Sequence, residues 1–100
     1  ALRKLFAQTG LTPADVSTVE LNEAFASQVI AVIRDTGLDP ERTNPHGGAI
    51  ALGHPVGATG TILTVRAALT LQRTRGVFAI VTMCIGGGQA LAALLRRWDA

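Results

Sequence analysis

Between Asn44 and Gly60 the chain carries glycines at 47, 48, 53, 57 and 60, with Pro45 and Pro55 among them. No other feature limits the fold as much. Glycine lacks the side chain that favours regular structure, and proline lacks the N–H that supports it, so ordinary helix or strand is excluded through most of this run. Yet the run also holds Ala49-Ile50-Ala51-Leu52, whose apolar side chains are expected to be buried. A long loop with apolar content inside a small domain is more often functional than a spacer.

Regular structure must therefore form on either side. Upstream, Leu2 to Thr9 reads as a short helix stopped by Gly10. Thr12-Pro13-Ala14-Asp15 reads as one helical turn, with Thr as cap, Pro at the first position and Asp at the positive end. Val19 to Leu21 is a short strand. A helix is expected from Glu23 to about Asp35, because Phe25, Val29, Val32 and Ile33 share one face. Gly37 ends it, and Asp39-Pro40-Glu41-Arg42 is a turn. Downstream, a helix is expected from about Thr59 to Thr74, with Ile62, Val65 and Leu69 and also Leu63, Ala67 and Leu71 on its inner side. Gly76 stops it. Val77 to Met83 is a continuous β-rich run, as in a strand covered on both faces. Cys84 follows, then a turn at Gly86-Gly87-Gly88. The last segment, Gln89 to Trp98, has high helix propensity, but a strand returning from the glycine turn competes with it.

Composition narrows the function. The chain has 100 residues, 48% hydrophobic and 16% charged, with net charge +2. That is one small domain, more apolar than a typical soluble one, so part of its surface is expected to face a partner or another part of the same protein. Basic residues are scattered apart from Arg3-Lys4 and Arg96-Arg97, so nucleic-acid binding has little support. The apolar run Val77 to Ile85 falls short of the roughly 20 residues a membrane span needs. Nothing at the start reads as a signal peptide. The single cysteine, Cys84, cannot form an internal disulfide and suits a reducing, cytoplasmic compartment. One cysteine and two histidines, His46 and His54, have no metal-ligand spacing.

Some residues carry chemistry. Asn22 ends a strand and opens a helix, a place where its side chain can cap the helix. His54 lies between Gly53 and Pro55, which fix an unusual backbone that can aim the imidazole, a group suited to proton transfer near neutral pH. Cys84 is either a small core residue or a reactive thiol. The N–H groups of the glycine turn at Gly86 can receive an oxyanion. The helix opening at Gly57-Ala58-Thr59-Gly60 turns its positive end toward His54, or needs its glycines for packing alone.

Leu21-Asn22-Glu23-Ala24-Phe25-Ala26, Asn44 to Gly60, and Cys84-Ile85-Gly86-Gly87-Gly88-Gln89 together resemble the C-terminal blocks of thiolases (acetyl-CoA acetyltransferases and 3-ketoacyl-CoA thiolases). The first is similar to the family's NEAF block. The second is similar to its GGAIALGHPxGxSG block, with Thr59 where Ser is common. The third is similar to its CxGGGxG block, with Ala90 in place of the last Gly. The blocks occur in the family's order and span nearly the whole chain.

The resemblance implies an α/β, thiolase-like fold: an incomplete C-terminal domain, residues 1–100, with a mixed sheet packed on helices and its first strand or strands absent. It implies that Gln89 to about Arg96 is strand, with an exposed sheet edge. It assigns Asn22 to hold a water that stabilises an enolate oxygen. It makes His54 the group that activates a nucleophilic cysteine, and Cys84 the acid/base at the substrate α-carbon. The Gly86 N–H becomes part of an oxyanion hole. His46 is left as a surface or supporting residue. The nucleophilic cysteine and most CoA contacts would lie in an N-terminal half that these residues do not include, so the isolated chain is expected to be inactive. No cofactor is implied; CoA and acyl-CoA are substrates, and the full-length enzyme would be a homodimer or homotetramer. A β-ketoacyl synthase is disfavoured by the Gly53-His54-Pro55 and Cys84-Ile85-Gly86 pair. A non-catalytic thiolase-like lipid-binding or assembly protein is the reading from another class, opposed by the intact Asn22, His54 and Cys84. A nucleotide-binding loop lacks its Gly-Lys-Ser/Thr.

Overall fold

The computed structural model describes residues 1–100. Helix α1 (Leu2–Thr9) leads through a 3-10 turn (Pro13–Asp15) into strand β1 (Val16–Leu21). Helix α2 (Ala26–Thr36) and a second 3-10 turn (Pro40–Arg42) follow. Then come the one-turn helix α3 (Ala49–Leu52), the long helix α4 (Thr59–Thr74), and strands β2 (Phe78–Gly86) and β3 (Gln89–Arg96). The sheet order is β1-β2-β3. β1 and β2 are parallel, with Val19 opposite Ile80, and β2 and β3 are antiparallel, with Thr82 opposite Ala92. The sheet is thus mixed, and the last segment is a strand despite its helix propensity. Its register is set by Gly87 and Gly88, both at positive φ (58° and 77°), the backbone of a two-residue hairpin whose twist matches the strands.

Side chains alternate across the sheet, so β2 feeds two cores. Ile80 joins Val16, Val19 and Leu21 under α1 and α2, where Leu2, Val29 and Leu38 close the cluster. Its neighbours Ala79 and Val81 pack on the other face against Leu63, Ala67 and Leu71 of α4. The layers are therefore α1 and α2, the sheet, and α4.

Several expectations are corrected. α2 begins at Ala26, not Glu23, and the residue at its cap position is Phe25, in extended conformation. Asn22 therefore caps nothing, and Phe25 leaves the apolar face, 71% exposed. The glycine-rich run does hold a helical turn, α3, but Ile50 and Leu52 on it are exposed rather than buried. On α4 only the Leu63, Ala67, Leu71 side is internal; Ile62, Val65 and Leu69 form an exposed row on its other side. Helix α4 is closed by Arg75 in the left-handed region (φ 56°), not by Gly76. Gly76 instead permits a close approach: a Cβ there would lie 2.5 Å from the Ser17 Cβ. β2 continues through Cys84 to Gly86, and Cys84 is exposed, which removes its reading as a core residue.

Asn44 does work that the sequence did not advertise. Its backbone N–H donates to the Val19 carbonyl at 2.8 Å. Its side-chain oxygen accepts from the Leu21 N–H (2.9 Å), and its side-chain nitrogen donates to the Leu21 carbonyl (2.8 Å). One residue thereby stands in for a neighbouring strand along the end of β1. It does so at φ 50°, a conformation asparagine tolerates better than most residues.

Candidate active site

β1 and β2 run in the same direction, so the residues just beyond their C-terminal ends share one edge of the sheet, the edge where open α/β sheets bind ligands. Asn22 follows β1 directly. Its N–H donates to the Thr82 carbonyl at 3.0 Å, which fixes it beside β2. Cys84 lies two residues past Thr82, roughly 7 Å further along that strand.

Asn22 is buried, 2% exposed. Its side-chain nitrogen stands 3.5 Å from Nε2 of His54, a residue 32 positions away. The imidazole reaches it because Gly53, at φ 93°, turns the chain out of α3. Thr59, in the first turn of α4, holds the ring from behind: its hydroxyl oxygen is 2.6 Å from Nδ1. That hydroxyl also donates to the Pro55 carbonyl at 3.0 Å. A hydroxyl has one proton, and Pro55 takes it, so Thr59 accepts from the Nδ1–H of His54. The neutral imidazole then carries its lone pair on Nε2, the atom facing Asn22. This is the tautomer of a base directed into the site.

The side-chain oxygen of Asn22 is buried and accepts no hydrogen bond. Asn22 lines a 140 Å³ cavity together with Gly48, Gly53, Pro55, Thr59 and Arg66. A buried carbonyl without a donor leaves about 1–3 kcal/mol of desolvation uncompensated.

Cys84 and Gly86 form no hydrogen bond with this pair. Gly60, next to Thr59, would put a Cβ 3.6 Å from the sulfur of Met83, so the start of α4 lies beside the residue preceding Cys84. Cys84 itself opens on a separate 350 Å³ cavity, together with Leu21, Gln28, Val32, Gln89 and Ala90. Gly86 interrupts the β2–β3 register at φ 132°, a backbone open only to glycine, and no atom lies within 4 Å of where its Cβ would be. Asn22 and His54 are thus in contact, while Cys84 lines a different cavity and Gly86 lines neither. His46 is exposed and touches neither. Reading the sequence passes over Asn44, the orienting role of Thr59, and Glu20 and Arg66. Only Glu20 leaves a signal, a carboxylate between the apolar Val19 and Leu21.

A mixed three-stranded sheet between helix layers, with an Asn–His pair and a Cys at one edge, defines an α/β domain. Residues 1–97 match the family described as thiolase, C-terminal domain. The chain is 52% identical over 90 residues to a beta-ketothiolase, BktB, of Cupriavidus necator, covering 90% of this chain and 23% of that protein. It is 50% identical over 96 residues to a 3-ketoacyl-CoA thiolase of Bacillus subtilis, covering 96% of this chain and 25% of that one. The crystal structure of human mitochondrial 3-ketoacyl-CoA thiolase superposes with a TM-score of 0.93 at 43% identity, over 98% of this chain and 25% of the human one. A structure of that human enzyme in complex with CoA gives 0.92 at 43% identity, over 97% of this chain and 25% of that one. The chain belongs to the thiolase family, as its C-terminal domain. It spans about a quarter of the length of these relatives.

Proposed function

We propose that this domain supplies the proton-transfer and oxyanion-binding half of a thiolase that cleaves 3-ketoacyl-CoA with CoA, or runs the reverse condensation. The observation that carries the reading is the Asn22–His54 contact, with Thr59 leaving the imidazole lone pair on the Asn22 side. In the degradative direction a cysteine thiolate from the rest of the protein attacks the 3-keto carbonyl. His54 Nε2 accepts that cysteine's proton beforehand. The Cα–Cβ bond breaks, and its electron pair leaves as the enolate of acetyl-CoA. Cys84 delivers a proton to the enolate carbon. A water held by the free Asn22 oxygen, with His54, steadies the enolate oxygen. The Gly86 N–H supports the oxyanion of the acyl-enzyme step. The Cys84 thiolate takes the thiol proton of CoA, and the CoA thiolate then removes the acyl group, which frees the nucleophilic cysteine and returns Cys84 to its thiol form. CoA and acyl-CoA enter as substrates, with no cofactor.

The portion corresponding to the rest of the relatives would cover the exposed Ile62, Val65, Leu69 row, and the assembled enzyme would be a homodimer or homotetramer. The 100 residues alone, with one cysteine, would turn over nothing. The test is thiolysis of acetoacetyl-CoA by the full-length protein carrying these residues, followed by loss of enolate absorbance. His54→Ala and Cys84→Ser are each expected to lower kcat by about 100-fold or more, the usual contribution of a positioned acid or base. Full-length protein that binds acyl-CoA without turnover would point to a lipid-binding relative. Retained activity in Cys84→Ser would remove that residue from the mechanism.

A further inference from the structure

Glu20 is the one charged side chain buried in this domain, fully inaccessible one residue before the end of β1. Neither of its carboxylate oxygens accepts a hydrogen bond. Its counter-charge is Arg66 of α4, whose Nη2 stands 3.5 Å from the Glu20 Oε2. Burial pushes the carboxyl above its ordinary range, and Arg66 pulls against that shift. Such a pair is a poor source of stability. Desolvation offsets most of the attraction, and apolar residues of similar volume commonly do as well or better. What the pair holds is therefore more informative than the pair itself.

The same Nη2 of Arg66 donates to the carbonyl of Gly47. Gly47, at φ 86°, is the step by which the chain enters α3, and α3 delivers His54. The next residue, Gly48, is buried against Glu23, whose Oε1 lies 2.0 Å from where a Cβ would stand. Glu23 Oε1 in turn accepts from the Ile50 N–H at 3.2 Å. Together with the Asn44 clamp on Leu21, the segment from 44 to 50 is fastened at three points. Each leads to a residue beside or near Asn22: Leu21 through Asn44, Glu23 through Ile50, and Glu20 through Arg66. The groups flanking one member of the Asn–His pair hold the loop that brings in the other.

We propose that Arg66, anchored by buried Glu20, is a positioning residue for His54: the tether to Gly47 sets the approach of α3 and hence the spacing between His54 and Asn22. The activity part of this inference rests on the thiolase reading of that pair; the geometric part does not. The alternative is an ion pair that only stabilises the fold.

The discriminating variant removes both charges. In the full-length protein, Arg66→Met alone loses stability, leaving a carboxylate buried without a partner, and loses kcat about 10-fold or more with KM within about two-fold, as expected when reacting groups are displaced by a fraction of an ångström. Arg66→Lys, which keeps a charge and a donor, recovers part of kcat. The double variant Glu20→Leu/Arg66→Met regains the wild-type Tm but keeps the low kcat. Its His54 imidazole 15N signals, identified by their loss in His54→Gln, stay shifted from wild type. If the double variant regains Tm, kcat and wild-type His54 signals together, the tether is structural and the inference is overturned. If the wild-type protein shows no thiolysis, the functional reading fails, and the His54 signals alone still decide whether Arg66 positions the ring.

Discussion

Replacing Asn44 tests how far the site depends on the edge of the sheet. Asn44→Ala removes two side-chain hydrogen bonds to Leu21, of 2.9 and 2.8 Å, and leaves the N–H and C=O of a buried residue facing nothing. Each lost bond is worth about 1 kcal/mol net, and more where the stranded group stays dry. Alanine at φ 50° adds about 1–2 kcal/mol of left-handed strain. The sum, about 3–4 kcal/mol, falls on the last residue of β1 and the one before Asn22. Native-state hydrogen exchange at the Leu21 amide reads it directly, with protection expected to fall by about 100-fold or more, since each 1.4 kcal/mol is a factor of ten. Asn44→Asp separates the contributions. It keeps the acceptor for the Leu21 N–H but turns a carboxylate, which has no proton to give, toward the Leu21 carbonyl. About half the loss is expected at neutral pH, with recovery in acid once the substituted carboxyl is protonated and can donate. If Leu21 exchange changes by less than about three-fold in Asn44→Ala, the clamp carries no energy and the reasoning fails.

Two further outcomes are expected. Thr59→Val removes the hydroxyl that fixes the Nδ1–H form of His54, and is expected to lower kcat of the full-length protein about 10- to 100-fold, while Thr59→Ser keeps most activity; equal activity in Val and Ser variants would show that the hydroxyl does not orient the ring. For Glu20, whose carboxyl is raised by burial, the fold favours the protonated form. Its stabilising contribution is therefore present below the ordinary value of 4.5 and is lost as pH rises through the raised value, the reverse of a salt-bridged surface carboxylate. Comparing unfolding of wild type and Glu20→Gln across that window is expected to show the wild type losing ground as pH rises.

Much of the architecture was legible because glycine and proline punctuate it. Gly10 and Gly37 end their helices in left-handed conformations, as their positions imply. The conversion of Gln89 to Arg96 into strand was not legible from local propensity; it follows from pairing with β2, a tertiary effect that outweighs the preference of alanine and leucine for helix. The start of α2 was misplaced because Phe25 continues the apolar period, yet its backbone is extended and the ring is exposed. The same blindness affected α4 and α3. An apolar residue facing the protein core and one facing outward look alike in sequence, so Ile50, Leu52, Ile62, Val65 and Leu69 all look internal there although they are exposed. His54 and Asn22 were legible as chemical candidates through their glycine, proline and strand-end settings. Their contact was not: it joins residues 32 positions apart, and Thr59, Asn44 and Arg66 around it reach His54, Leu21 and Gly47 across 5, 23 and 19 positions.

The parallel pairing of β1 with β2 has a consequence for how the site comes into being. Val16 meets Phe78 only after the chain between them has been laid across the sheet. The Asn22–His54 contact spans 32 residues inside that same crossover. Closing so large a loop is paid for in chain entropy before any contact repays it, which makes such pairings late events. Nascent or partly folded chains can therefore own the right helices and still hold no base facing an amide. The pairing of Asn22 with His54 is thus a non-local contact that forms only once the chain between β1 and α4 is ordered.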